Sequence, residues 1–525
     1  MKKMIYTVFV MFVLLMAAGC KKWLDVNENP NGPEKVSPNL LLAPMLYYVV
    51  QADQWDGRYV GKYIQNWSGT GDKDIWDTMG YQPPPVDNGG ETWKLAYIFL
   101  GKNLSDMMRD AEAEKRWDVL GVGYILKAIG FQRATDMHGE LIIKQIGQDR
   151  TSFDYDSQEY AYEEVRKLLD TAIVNLQRID GTISKSYLAK GDLVYNGAKE
   201  QWLKFAYGMM AINLSHLTNK STFDADKVIE YVDKSFTGNV DNALYTFTGG
   251  QSALSNFWGQ RRANLNAFRQ TEFFVNLLNG TAFPGIVDPR MSRMIWPSPS
   301  GIYKGIQPTF ALTTISPAAD RPPTFFNTVG NVLESSPGRY LFDDVAKIPL
   351  MTYSQLQFIK AEAALRKGYL PVAMDAYKKG IDAHIDFVNT TNSRVPTGTA
   401  SQISATEKAA YLSNVNIVPA AETQLTLSHI LCQKYIAQFA WGFLETWTDL
   451  RRFHYTDLDP KTNQQVFRGF APPDVSRLSA DNLGKVVYRF RPRYASEYVW
   501  NIEALKKIGG TDIDFTTKPT WFVNP

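Results

Sequence analysis

The feature that most constrains the fold is a stripe over residues 157–178. There Tyr162, Val165, Leu169, Ala172 and Leu176 recur at three- and four-residue intervals. Such spacing puts one apolar face on an α-helix, whereas a strand needs strict alternation. Asp156 is placed to cap the helix, with Glu159 at the third position completing a capping-box-like start. The apolar face needs a partner, and the neighbouring sequence offers helices of the same kind. Residues 91–135 read as a helical pair, through Trp93, Tyr97, Leu100, Leu104 and Met108, then Leu120, Tyr124, Ala128 and Phe131. Residues 197–217 carry Trp202, Phe205, Met209, Ile212 and His216.

Further helices are expected at 39–50 and over 352–389, where Gly368 is a natural break. Leu356, Ile359 and Ala363 precede that break, and Ala373, Tyr377, Ile381 and Ile385 follow it. Small Ala361 and Ala364 at the contact make this pair resemble a tetratricopeptide-like unit. A long helix is predicted over 421–446, with Leu427, Leu431, Tyr435 and Phe439 four apart. Between these blocks, residues 237–350 are rich in Gly and Pro and lack stripes, as are residues 55–90. Long irregular stretches within an ordered chain often carry function. The expected architecture is mainly α: tetratricopeptide-like helix pairs, chiefly 91–217 and 352–453, in a single domain over 39–525, with a large loop-rich remainder and little β.

The first residues read as a processing signal. Lys2 and Lys3 precede an apolar run from Met4 to Ala18, then Ala17-Ala18-Gly19-Cys20. The run is shorter than the ~20 residues that cross a bilayer, and small residues before a cysteine suit a lipoprotein cut site. Residues 1–19 are therefore expected to be a signal peptide, Cys20 the acylated residue, and residues 20–38 a lipidated tether. Of 56 basic residues two are in this leader, which has no acids; the remaining 54 match the 54 Asp and Glu. A neutral chain gives no electrostatic case for nucleic acid. The second cysteine, Cys432, reads as a small core residue. The five histidines (His138, His216, His384, His429, His454) show no metal-ligand spacing. No cofactor is implied, and no nucleophile motif or phosphate loop is present.

Several motifs together resemble the SusD/RagB family of Bacteroidetes outer-membrane lipoproteins. The segment Cys20 to Asn31 is similar to the family's post-cysteine run. Asp288-Pro289-Arg290 followed by Tyr303-Lys304-Gly305 is similar to its middle stretch. Phe358 to Gly368 resembles its "E-A-A-x-R-x-G" helix, and Glu445 to Arg452 its "E-x-W-x-D-x-R-R" signature. Arg493 to Asn501 resembles its closing motif, with Ala495 where Pro is usual. The resemblance implies four tetratricopeptide-like helix pairs and a non-catalytic role. Such proteins sit on the cell surface over a SusC-like TonB-dependent transporter, capture oligosaccharides or in some cases peptides, and deliver them for import. Lys21-Lys22-Trp23 follows the cysteine and Asp25 stands alone, so surface placement is implied by the resemblance rather than by an acidic export signal.

Glu445, Asp449 and Arg452 fall near one helical face. They are expected to form a structural ion pair beside Trp447 rather than a hydrolytic carboxylate pair. Asp288-Pro289-Arg290 reads as a turn, with Arg290 a candidate ligand contact. Sugar binding calls for flat apolar faces beside hydrogen-bonding groups. The first candidates are Trp67, Asp72, Trp76 and Tyr81 in the 66–94 stretch. Trp296 and Tyr303 follow, then Trp258 beside Arg261 and Arg262. Trp93 and Trp202 lie on helix stripes and are expected in the core. A surface hydrolase and an adhesin-like interaction module are the competing readings.

Overall fold

The computed structural model describes residues 36–82, 87–330, 335–391 and 402–525. Cys20, the leader and most of the tether lie outside them. About half of the residues are helical and about 4% lie in strands. Among the described residues no helix is long and apolar enough to cross a membrane.

The helical frame begins with α1 (Leu42–Tyr63), α2 (Gly101–Ala113), α3 (Trp117–His138), α4 (Gln158–Gln177), α5 (Lys199–Ser215) and α6 (Ala225–Lys234). It continues with α7 (Glu272–Leu278), α8 (Tyr353–Lys367), α9 (Leu370–Thr391), α10 (Ala405–Ser413), α11 (Leu427–Gln438) and α12 (Phe443–Arg452). Helices α2 to α6 pack each on the next, and α6 then meets α8, which also packs on α9 and α11. These stacked antiparallel helices bear out the mainly α, tetratricopeptide-like expectation.

The predicted stripe of α4 is buried along its length. Its cap is Ser157, whose hydroxyl accepts from the Tyr160 amide at 3.2 Å. Asp156 is committed elsewhere: its carboxylate accepts the Ile143 and Lys144 amides, each at 2.9 Å. Helix α3 is buried on almost all sides, so its neighbours must come close. Gly121 permits this, because a Cβ there would meet Leu176 Cγ at 2.6 Å. Helix α8 starts at a Thr352 cap and stops where Gly368 takes φ 85°, as its composition predicts.

Two helix boundaries differ from expectation. Helix α1 runs on through Tyr63, into the stretch read as loop, because Val60 and Tyr63 continue its buried face. The single helix over 421–446 is instead α11 and α12. Ala440 between them takes φ 67°, and its amide donates to Asn66 Oδ1 at 3.1 Å.

The strands form two antiparallel pairs. β1 (Trp67–Gly69) pairs with β3 (Phe268–Gln270), Trp67 opposite Gln270. β2 (Ala243–Thr246) pairs with β4 (Lys347–Met351). One apolar core extends from Leu42 to Phe490, so helices and loops share it. Cys432 is buried within it, as expected.

Candidate functional site

The signature residues of α12 build a buried ion network. Arg452 forks onto both oxygens of Glu362 at 3.0 Å and reaches Asp449 at 2.6 Å. Lys434 of α11 holds Asp449 at 2.8 Å and Glu445 at 2.9 Å, and His216 Nε2 lies 2.8 Å from Glu445. Burial opposes charge on His216, but the Glu445 and Asp136 carboxylates outweigh it and push the imidazole up to about 9. Glu362 is likewise opposed by burial, yet Arg452 and Arg366 hold it down to about 2. Carboxylates so engaged are poor general acids and bases, so this geometry tells against a hydrolytic pair. Arg451 instead lies 3.9 Å over the Trp447 ring and donates to the Asp136 and Tyr488 carbonyls.

Arg290 is a correction. It is fully buried, paired to Asp288 at 2.6 Å and bonded to Gln433 Oε1 at 2.6 Å and His384 at 2.8 Å. It fastens the Asp288-Pro289-Arg290 turn to α9 and α11 and has no surface to offer a ligand.

Four of the candidate tryptophans are corrected in the same way. Trp67 is buried against Trp258 and Phe443, with ring centroids 5.4 and 5.0 Å away. Trp258 fills the space between Trp67, Phe257 and Phe443. Trp76 is enclosed by Tyr59, Tyr63, Tyr81 and Phe490. Trp296 donates to the Phe325 carbonyl at 2.9 Å and is covered by the Arg339 guanidinium at 3.6 Å. Trp67 lies in the short strand β1 and the other three in irregular segments; all of these wrap the core, and burying a large ring is the main gain such a segment can make. Tyr303 is half-buried against the same core.

Asp72 remains exposed, and Tyr81 is half-buried on the wall of a cleft. The Asp72 side chain is 60% exposed and pairs with Arg477. Arg477 lies 4.0 Å over the Phe310 ring and donates to Thr309 Oγ1 at 2.8 Å. The Lys73 amide donates to the Thr309 carbonyl, and the Leu312 amide to the Thr70 carbonyl, both at 2.9 Å. Three loops, 70–74, 307–312 and 472–477, are thereby tied together. Beside them is a polar cleft of ≈ 160 Å³ lined by Gln65, Glu272, Asn276, Gln307, Thr309, Phe310, Asp474 and Arg477. A neighbouring cleft of ≈ 290 Å³ is lined by Tyr81, Gln82, Asp481, Asn482, Arg491 and Tyr498. Segment 472–482 borders both.

A broader cleft of ≈ 540 Å³ lies between the β2–β4 pair and the end of α9, with Asn242, Phe247, Tyr340 and Lys347 on its walls. Among the described residues no group of His, Cys, Asp and Glu is arranged to hold a metal ion. Sequence reasoning missed Arg477, Phe310 and Gln307. Their only signal is the Pro472-Pro473 punctuation, which marks a loop without saying which loops it meets.

Arg477 and Phe310, with the Gln65, Asn276 and Gln307 amides, place an aromatic ring, amide groups and a guanidinium within one loop-built concavity, which suits a polyhydroxylated ligand. The family model described as "Starch-binding associating with outer membrane" matches residues 30–472. No curated protein matches the chain. Among solved structures, a SusD/RagB family protein from Bacteroides thetaiotaomicron superposes with TM-score 0.71 at 22% identity, covering 93% of this chain and 99% of that one. A SusD homolog from Bacteroides fragilis gives 0.70 at 18% identity, with 93% and 100% coverage. A chitin-binding SusD homolog from Flavobacterium johnsoniae gives 0.64 at 20% identity, with 93% and 99% coverage. These similarities share the fold of stacked helices with a loop-built remainder, and with the match over residues 30–472 they show that the chain belongs to the SusD-like family.

Proposed function

We propose that the protein is a non-catalytic, lipid-anchored receptor of the outer membrane that faces the cell surface. It captures oligosaccharides at the loop face and hands them to a SusC-like TonB-dependent transporter. Cys20 is the acylation site. The observation that carries the ligand assignment is the loop-built cleft at Arg477, where a guanidinium stacked on Phe310 sits among Gln, Asn and Thr side chains. The starch-binding description of the family and the chitin-binding relative support a glycan over other nutrients. The engagement of Glu362, Glu445 and Asp449 by cations supports a role without catalysis.

Calorimetric titration with neutral α- and β-linked oligosaccharides tests the reading. Arg477→Ala is expected to weaken binding about tenfold, equivalent to ~1.4 kcal/mol. Binding of peptides alone would keep the capture role and overturn the glycan assignment. Binding of neither, with tight association to another surface protein, would favour the adhesin-like alternative. The anchor has its own test: Cys20→Ser should move the protein from the membrane to the soluble fraction, because the acyl chains supply the attachment.

A further inference from the structure

Away from the Arg477 loops, the segment 494–501 borders a different kind of cleft. Its volume is ≈ 350 Å³, within the range of small-molecule sites. Half-buried Tyr97 forms its aromatic wall, backed by the buried Trp93 ring with centroids 4.9 Å apart. Trp500 stands on its rim and is 76% exposed, the one fully surface-exposed tryptophan among the described residues. The exposed Ile98 and Ile146 line the same cleft, so Trp500 belongs to a contiguous apolar surface rather than standing alone, the kind of surface that marks a binding site.

Glu497 also lines this cleft and is only 4% exposed. Its Oε2 accepts from the Tyr155 hydroxyl at 2.5 Å and from Asn501 Nδ2 at 3.0 Å. Both donors are neutral. Unlike Glu362 and Glu445, Glu497 forms no ion pair among the described residues. The nearest arginine in sequence, Arg493, is directed to Asp87 at 3.5 Å. A buried carboxylate without a counter-cation is costly, and aromatic walls attract a cation rather than an anion. Carboxylate and rings therefore select for the same kind of charge.

We propose that this cleft is a second ligand site, for an organic ammonium group carried on a ring or alkyl body. Glu497 is its anionic anchor and the faces of Trp500 and Tyr97 are its walls, with Trp93 packed behind Tyr97. The chemistry is shared by an amino sugar and a lysine side chain. The inference does not rest on the glycan reading of the Arg477 cleft.

The test is titration of the intact protein in detergent with three probes: a glucosamine trimer, its neutral N-acetylated counterpart, and the tripeptide Gly-Lys-Gly. At least one ammonium probe should bind, with quenching of Trp500 fluorescence, and the N-acetylated trimer should bind at least tenfold more weakly at this site. Glu497→Gln keeps an oxygen for Tyr155 and removes the charge; it should weaken ammonium binding at least about tenfold. Trp500→Ala, at an exposed position, should weaken it as well and covers the case in which the Glu497 variant fails to fold. Arg477→Ala should leave it unchanged. Binding of the trimer only identifies an amino-sugar site, and binding of the tripeptide only a lysine site. The proposal is overturned if neither ammonium probe binds at ~1 mM. Equal binding of the charged and acetylated trimers would also overturn it, as would a Trp500→Ala affinity within twofold of the parent.

Discussion

His216 gives the fold a pH signature that its position on a helix stripe does not announce. Its pKa rises from 6.5 in the unfolded chain to about 9 in the folded one. Its contribution to stability is thus complete below pH 6.5 and is lost as pH rises through 9. A shift of this size corresponds to about 3 kcal/mol. Urea midpoints should fall between pH 6.5 and pH 9.5, and His216→Gln should flatten that slope. Glu362 has the opposite sign: its contribution is present above pH 4.5 and is lost as pH falls through about 2. Arg452→Met would leave Glu362 and Asp449 buried with reduced compensation, and urea unfolding should register a loss of about 3–5 kcal/mol. Arg477→Ala should cost about 1–2 kcal/mol of stability: the pair with Asp72 is largely in water, but the bonds to Thr309 and the stacking on Phe310 are lost. The pairing of Arg452 was legible from its spacing to Asp449. The burial of Arg290 was not, since Gln433 and His384 lie far from it in sequence and only the folded turn brings them to it.

At the scale of elements, close helix packing makes a sharper prediction than propensity does. Gly121→Val places side-chain atoms where Leu176 already sits, so α3 and α4 must separate. The expected loss is about 1–3 kcal/mol, read from the thermal or urea midpoint. Gly368→Ala meets no steric neighbour, and its cost of about 1 kcal/mol comes from the positive φ alone. The stripe of α4 and the stop at Gly368 were readable because each depends on a few adjacent residues. The break at Ala440 was not. Alanine favours helix, and the left-handed turn there is held by Asn66, hundreds of residues away in sequence. The exchange of Asp156 for Ser157 as the cap has a similar origin. Both residues can cap, and the Ile143 and Lys144 amides claim the aspartate's carboxylate.

At the scale of the molecule, the tryptophans separate core from surface. Trp500 is the most exposed of those described, with Trp55 and Trp521 half-buried, so Trp500→Phe should lower the acrylamide-accessible fluorescence and leave the buried emission nearly intact. Trp76→Ala, by contrast, should act first on stability, by about 3–5 kcal/mol, because it empties a site enclosed by four aromatic rings. The 66–94 stretch was rightly read as irregular in most of its length, yet its rings face inward. Irregular backbone carries no period from which a facing direction can be read.

By itself, the sequence determined the helical class, the helix-pair organisation, the loop-rich middle and, through its ordered motifs, the family. All of these are written in short-range periodicity or in contiguous residues. Only the tertiary structure decided which aromatic rings are core and which meet solvent, and that Arg477 and Phe310 share one cleft while Asp72 pairs with Arg477. It also decided that Glu497 lies buried beside Trp93 and Tyr97 without a cation. Those outcomes depend on contacts between segments up to about 400 residues apart, whose burial and electrostatics exist only once the chain has closed on itself.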